Sequence, residues 1–467
     1  MNRKLSYLSK NVLLFSISGL VPKILAFLLV PIYTSYLTTS EYGISDLITI
    51  AVNVLLLIVT LNIHDAVMRF VLDKNYKPQD VFSAAMRFVG IGTVIVTLGC
   101  FAVSALNIPG MERSYLICFA MMYAVNAFYN SASMFCRGID KVGVLVGSSI
   151  LNSVVTLGSN ILFLVVFRWR LTGYLVANTL GVLAAGIYCF FGARLYKYIH
   201  IQVPGRVIRE MIGFSVPILF GSIAWWVNNA SDRFALSLMA GTAVSGLYAV
   251  AYKIPTLLTT FHNILGQAWS ISAVKEFDKD DSDGFISNMY TLMNFAMVLV
   301  SSAIMVVCIP AAKILYQKEF FHAWVYVPPL LLSVLCNAMA QFIGSIFVAV
   351  KDTKALSVST IVGAAVNVVC NFLFIWLWGA YGAALATLLG YGVSLAMRHL
   401  YLRKHIRMRI NWKRDGFAYG LLLAQMAAAS LGVDLIPAQI LLMAGIVLVY
   451  RSEIGKVFLM IKSKFQK

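Results

Sequence analysis

Stretches of roughly twenty apolar residues, the length needed to cross the hydrocarbon of a bilayer, follow one another along almost the whole chain. They run near 11–34, 44–68, 84–106, 114–136, 146–167, 171–193, 211–238, 244–273, 288–310, 325–350, 355–378, 381–400, 415–431 and 436–450. With no water in the hydrocarbon to satisfy backbone N–H and C=O groups, spans of this length fold as helices. Of 467 residues 60% are hydrophobic and 12% charged, more apolar surface than one water-soluble core can hide. The expected class is an all-α polytopic membrane protein with about 14 transmembrane helices. The basic start, Met1 to Lys10, leads into a span longer than a signal-peptide core and lacking a small-residue cleavage site, so the first helix is expected to stay. The seven cysteines all fall within apolar spans, which points to neither a disulfide framework nor a metal site.

Basic residues test the helix count independently, because they concentrate in cytoplasmic loops. With the N-terminus inside, 28 of the 37 Lys and Arg fall on the inner side and five on the outer (Arg113, Arg168, Arg170, Lys313, Lys318). The other four, Lys23, Arg87, Arg233 and Lys253, sit within spans. This asymmetry predicts a multi-pass protein with both termini cytoplasmic, and it accounts for the net charge of +18 by attraction to anionic inner-leaflet lipid, with no nucleic acid required.

The two halves repeat. Phe135 to Asp140 recurs as Phe347 to Asp352, Asn160-Ile-Leu-Phe163 as Asn371-Phe-Leu-Phe374, and Gly173, Ala177 and Gly181 as Gly382, Ala386 and Gly390. A shared order and a nearly constant offset over six helices predict two lobes of like orientation, related by a pseudo-two-fold axis along the membrane normal. The expected division is residues 1–205 (helices 1–6), 206–405 (helices 7–12) and 406–467 (helices 13–14 with a basic tail), with the substrate path between the lobes.

Charges inside the spans are the candidate functional residues, since a buried charge costs about 2.5–3.5 kcal/mol on insertion scales. Lys23 follows Pro22, and Lys253 precedes Pro255 by two residues; each proline frees a carbonyl that needs protein or water nearby. Arg233 lies closer to the outside, Arg69 and Arg87 at inner helix ends. Asp65, Asp232 and His64 are ion-coupling candidates, each with a structural reading beside it. Asp65 and Arg69 are four apart and can pair on one helix face, Asp232 can pair across helices, His64 can be a packing histidine, and Arg87 can reach to the inner surface.

The opening KNVLLFSISGLVPKILAFLLVPIYTSYLTTSEYGISDL, with Pro31-Ile-Tyr-Thr34 and Glu41-Tyr42-Gly43, resembles the start of Wzx-type polysaccharide flippases of the multidrug/oligosaccharidyl-lipid/polysaccharide exporter superfamily. The resemblance implies a V-shaped pair of lobes and, for O-antigen or capsule biosynthesis, transfer of undecaprenyl-pyrophosphate-linked oligosaccharide from the inner to the outer leaflet of a bacterial plasma membrane. It implies a lipid-linked glycan, membrane lipid and the polysaccharide polymerase and assembly proteins as partners. Lys23 and Lys253 would then bind the diphosphate, with Arg233, Arg69 and Arg87 guiding it.

Two rivals share the architecture, an ion-coupled multidrug or cation antiporter and a lipid II-type wall-precursor flippase. Midplane lysines repel organic cations, which disfavours the first; only the glycan separates the second. An enzyme is not expected, and no cofactor is. The acidic run Asp278 to Asp283 stands alone in a short loop, where such runs are usually solvated, and no phosphate-cradling Gly-rich loop with Lys-Ser/Thr occurs.

Overall fold

The computed structural model describes residues 22–106, 112–275, 277–350, 352–431 and 436–455. Arg3, Lys4, Lys10, Lys351 and the first part of the first span lie outside the described residues. Within them the helices correspond one for one to the fourteen expected spans. In the first half these are α1 (Pro22–Tyr36), α2 (Thr39–Val59, resuming as Ile63–Val71), α3 (Pro78–Ala105), α4 (Arg113–Gly138), α5 (Val142–Val166), α6 (Arg170–Gly192) and α7 (Gly205–Ala240). There follow α8 (Thr242–Ala251, resuming as Pro255–Lys275), α9 (Phe285–Leu315) and α10 (Lys318–Ala349). Thr353–Leu402 holds α11 and α12, divided at Gly379 (φ 58°, ψ −135°), a backbone conformation open essentially to glycine; α13 (Trp412–Leu431) and α14 (Ile436–Val449) complete the set.

Burial confirms what the hydropathy requires. The apolar window of α3 has a mean hydropathy of 2.1 but only 17% of it is buried, leaving Ile91, Val94, Leu98 and Phe101 facing outward, as a lipid-facing helix must. By contrast α10, 67% buried, is a central helix of its half.

The chain divides into two compact units, Met1–Ala230 and Ser231–Lys467, the division falling inside α7. In the first, Phe82 and Phe135 (ring centroids 4.6 Å apart) anchor one core with Ala84, Ala85 and Ala132, while Tyr123, Leu56 and Leu175 anchor another. Loop contacts within each unit keep alternate connections on one side. Thr38 and Glu41 form a capping box at the start of α2, and Arg170 at the start of α6 reaches Glu41 at 3.0 Å. At the opposite ends, Tyr76 donates to Glu210 (2.6 Å) and His200 meets Asp80 (2.9 Å).

In the second unit the loops after α8, α10 and α12 are likewise tied together. The Arg407 amide donates to Lys279 O (3.1 Å), the Arg409 amide to Ser287 Oγ (2.8 Å), and His405 lies 2.8 Å from Asp352. The Ala355 amide at the start of α11, with His405, holds the Asp352 carboxyl below the ordinary carboxylate range. The acidic run is mostly solvated, as expected, with Asp281 alone buried and its backbone and side chains ordering the turn. The Ser282 amide donates to Asp278, and Asp281, 1% exposed, accepts from the Ile286 and Ser287 amides and caps α9. Arg398, one of the inner-side basic residues of the sequence count, is buried and donates to Ser359, Thr360 and the Ala340 carbonyl, strapping α12 to α11 and α10.

The internal repeat recurs as matching contacts. In the first unit Gly181 of α6 lies against Asn152 and Thr156 of α5, and Gly173 against Phe163; in the second, Gly390 of α12 lies against Gly363 and Asn367 of α11, and Gly382 against Phe374. These glycines let paired helices approach to backbone contact. A Cβ on Gly382 would fall 1.9 Å from the Phe374 carbonyl oxygen, whereas one on Gly392 meets nothing within 4 Å. Gly382→Ala is therefore expected to destabilise by about 1–3 kcal/mol through overpacking, and Gly392→Ala to leave the melting temperature essentially unchanged. Equal melting of the two purified variants would contradict this packing.

Candidate functional site

In the second unit the site grows from one break in regularity. Pro255 cannot donate to the helix ladder, so the outer half of α8 ends at Ala251 and the chain turns through Tyr252, Lys253 and Ile254 before resuming. Lys253 stands eleven residues in from Thr242, about 16 Å along the helix at 1.5 Å per residue. Its side chain is half-buried and its ammonium has no ion pair or hydrogen bond among the described residues.

Beside the turn, on α7, Asp232 is 2% exposed. It accepts from the hydroxyls of Tyr248 (2.8 Å) and Tyr252 (3.2 Å) and from the Arg233 backbone N–H (2.9 Å). The Arg233 guanidinium lies over the Tyr252 ring, 5.0 Å from its centroid, a cation–π contact. A second row of oxygens and amides continues from Asp232. Tyr248 Oη is 3.4 Å from Thr387 Oγ1, Asn367 donates to Thr387 (3.3 Å), Ser231 donates to Asn367 (3.3 Å), and Asn371 donates to Asn367 (3.2 Å). Four helices of one unit, α7, α8, α11 and α12, are thus linked through a buried carboxylate, with Arg233 next to it on α7.

In the first unit α2 breaks at Leu61 and Asn62, both in the left-handed region (φ 53° and 54°), which asparagine tolerates better than most residues. The second half opens with His64 and Asp65, and both line a cavity of about 440 Å³ together with Leu57, Asn62, Ile218, Gly221, Ser222 and Trp226. Asn62 donates to Asp65 Oδ2 at 2.8 Å. The Asp65–Arg69 pair suggested by their spacing is not what forms: Arg69, 60% exposed, lies 4.0 Å from Asp73, also four residues on. Asp65 is held in the first turn instead, where an anion is favoured by the helix dipole. Arg87 is exposed and donates to the Ile201 carbonyl ahead of α7, and Lys23 is exposed on α1 without a partner among the described residues.

The structure therefore brings Asp232 and Arg233 together with Tyr252, the neighbour of Lys253 in the α8 turn, in one unit and His64 with Asp65 in the other, while Arg69 and Arg87 are engaged separately at helix ends. Sequence reasoning did not select Tyr248, Tyr252, Asn367, Thr387 or Asn62. A signal existed for the first three, polar groups recurring at four-residue spacing inside apolar spans (Tyr248 with Tyr252, Asn367 with Asn371). Among the described residues no three His, Cys, Asp or Glu converge as a metal site.

Fourteen helices among the described residues, an internal repeat and charged groups gathered where helices break define a polytopic membrane protein. The structure is similar over 96% of this chain and 100% of the other to a lipid II flippase, MurJ, in an inward closed conformation (TM-score 0.72, 11% identity). It is also similar to an inward-facing multidrug resistance transporter of the MATE family (TM-score 0.66, 11% identity, 83% of this chain and 97% of the other). A third likeness is to a MOP-superfamily transporter from Pyrococcus furiosus (TM-score 0.57, 13% identity, 85% and 95%). Likeness at such low identity establishes the fold alone. In sequence the chain belongs to the polysaccharide biosynthesis protein family, which it matches over residues 8–271 and 269–418. No curated protein sequence matches it.

Proposed function

We propose that the protein is a flippase that carries undecaprenyl-pyrophosphate-linked oligosaccharide repeat units from the inner to the outer leaflet of the bacterial plasma membrane, by alternating access and with both termini cytoplasmic. The observation that carries this reading is Lys253, an ammonium without a partner among the described residues, about 16 Å along α8 from Thr242 at a broken helix, with Arg233 over the ring of Tyr252 in the same turn. A lone cation there serves no structural pairing, and a diphosphate is the group in a lipid-linked glycan that would neutralise it. Lys23 on α1 supplies a second ammonium, and Arg69 and Arg87 guide the headgroup from the inner side. Asp232, with Tyr248 and Tyr252, is the carboxylate through which an ion gradient drives the cycle.

The test is binding. Purified protein should hold undecaprenyl pyrophosphate in preference to a lipophilic cation such as tetraphenylphosphonium, with affinity falling as salt rises. Preference for the cation would establish the antiporter reading instead. A wall-precursor flippase shares every feature named, and the lipid-linked intermediate accumulating in a deletion strain decides between the two glycans.

A further inference from the structure

The break in α2 leaves one polar atom unaccounted for. Asn62 is 0% exposed, its amide nitrogen is committed to Asp65, and its Oδ1 has no hydrogen-bond partner. An orphaned buried acceptor is costly, so a positively charged group that accepts no hydrogen bond belongs beside it. The same residue lines the cavity of about 440 Å³, as do Asp65 and the hydroxyl-bearing Ser222. The breaking of the helix, not its packing, creates the arrangement, because two successive left-handed residues swing the Asn62 side chain off the α2 face and start a new nine-residue helix with Asp65 in its first turn.

We propose that the Asn62–Asp65 helix break of the first unit is a binding site for a monovalent alkali cation, held by the Asp65 carboxylate, Asn62 Oδ1 and Ser222 Oγ. One carboxylate with neutral oxygens balances a single positive charge. A divalent ion would call for more anionic ligands, and a soft metal would call for sulfur or several imidazoles. His64, on the same wall, is a neutral neighbour when the cation is bound and an electrostatic competitor when protonated. The site is distinct from the Asp232 centre and does not depend on the glycan reading.

The experiment uses the full-length purified protein in an Asp232→Asn background, so that any ion bound there is removed from the measurement. Sodium chloride is titrated against choline chloride at constant ionic strength and constant pH, reading melting temperature and saturable radiosodium binding. Sodium should raise the melting temperature by several degrees, increasing with the logarithm of its concentration, where choline does not. Asp65→Asn and, separately, Asn62→Gly should abolish both responses; glycine keeps the left-handed backbone while removing Oδ1 together with the amide that donates to Asp65, so a folded variant is retained. Undecaprenyl pyrophosphate binding, measured in choline buffer, should be the same in all of these variants, which keeps a failure of this proposal separate from a failure of the flippase reading. Sodium stabilisation that persists in both variants, no difference between sodium and choline, or a response to pH in place of sodium would each overturn it.

Discussion

Lys253→Ala and Lys23→Ala each reduce delivery of the lipid-linked glycan to the outer leaflet roughly ten- to a hundred-fold, while the amount and melting temperature of the protein stay at wild-type levels. The size follows from removing one charge-assisted contact to a diphosphate, about 1.5–3 kcal/mol. The unchanged stability follows from the structure, since neither ammonium has a partner among the described residues and truncation orphans nothing. Removing an unpaired intramembrane charge lightens the cost of insertion. Lys253→Arg should retain more activity than Lys253→Gln, because charge is the requirement. Surface glycan measured at matched expression reads the outcome, and near-normal glycan in both single variants would place the anion site elsewhere.

Asp232→Asn is expected to abolish gradient-driven flipping in proteoliposomes, a loss of more than roughly tenfold, and to leave undecaprenyl pyrophosphate binding intact. The amide is nearly isosteric and still offers one acceptor oxygen to the tyrosine hydroxyls, but it can neither take up a proton nor neutralise a bound cation. Asp232→Ala is expected to fare differently. The hydroxyls of Tyr248 and Tyr252 lose their acceptor, with Tyr248 0% exposed, and each buried orphan costs about 1–3 kcal/mol, so this variant should lose stability as well as transport. If the Asn variant flips as well as wild type under the gradient, Asp232 is a structural residue. Transport that fails in Asn and Ala variants alike, with identical melting curves, would show that the tyrosine contacts contribute nothing to stability.

Much of the architecture was legible before any coordinates. Helix number, alternation of basic loops and the repeat of Gly173 and Gly181 as Gly382 and Gly390 are written in the chain, and the last reappears as equivalent helix-to-helix contacts in the two units. The candidate site was half legible. Lys253, Arg233 and Asp232 stood out because a charge in an apolar span is conspicuous, yet nothing near Asp232 in sequence announces that its acceptor capacity is taken by hydroxyls sixteen and twenty residues away. Spacing also misassigned a partner: Arg69 has a carboxylate four residues to either side, and helix periodicity cannot choose between Asp65 and Asp73.

By itself, then, the sequence determined a fourteen-helix, twice-repeated membrane protein with cations and carboxylates inside its spans. Hydropathy and the demand for backbone hydrogen bonds in lipid act segment by segment, so they can be summed along the chain without knowing which helix meets which. Only the tertiary structure decided that Asp232 is enclosed by tyrosines, that Arg398 straps three helices through oxygens alone, and that Asn62 turns its free oxygen where Asp65 stands across a broken helix. Those outcomes depend on which polar groups, some separated by dozens of residues, are forced together once water is excluded. A buried donor or acceptor must then bond whatever packing has set beside it, and that neighbour is fixed by three-dimensional contact rather than by position in the chain.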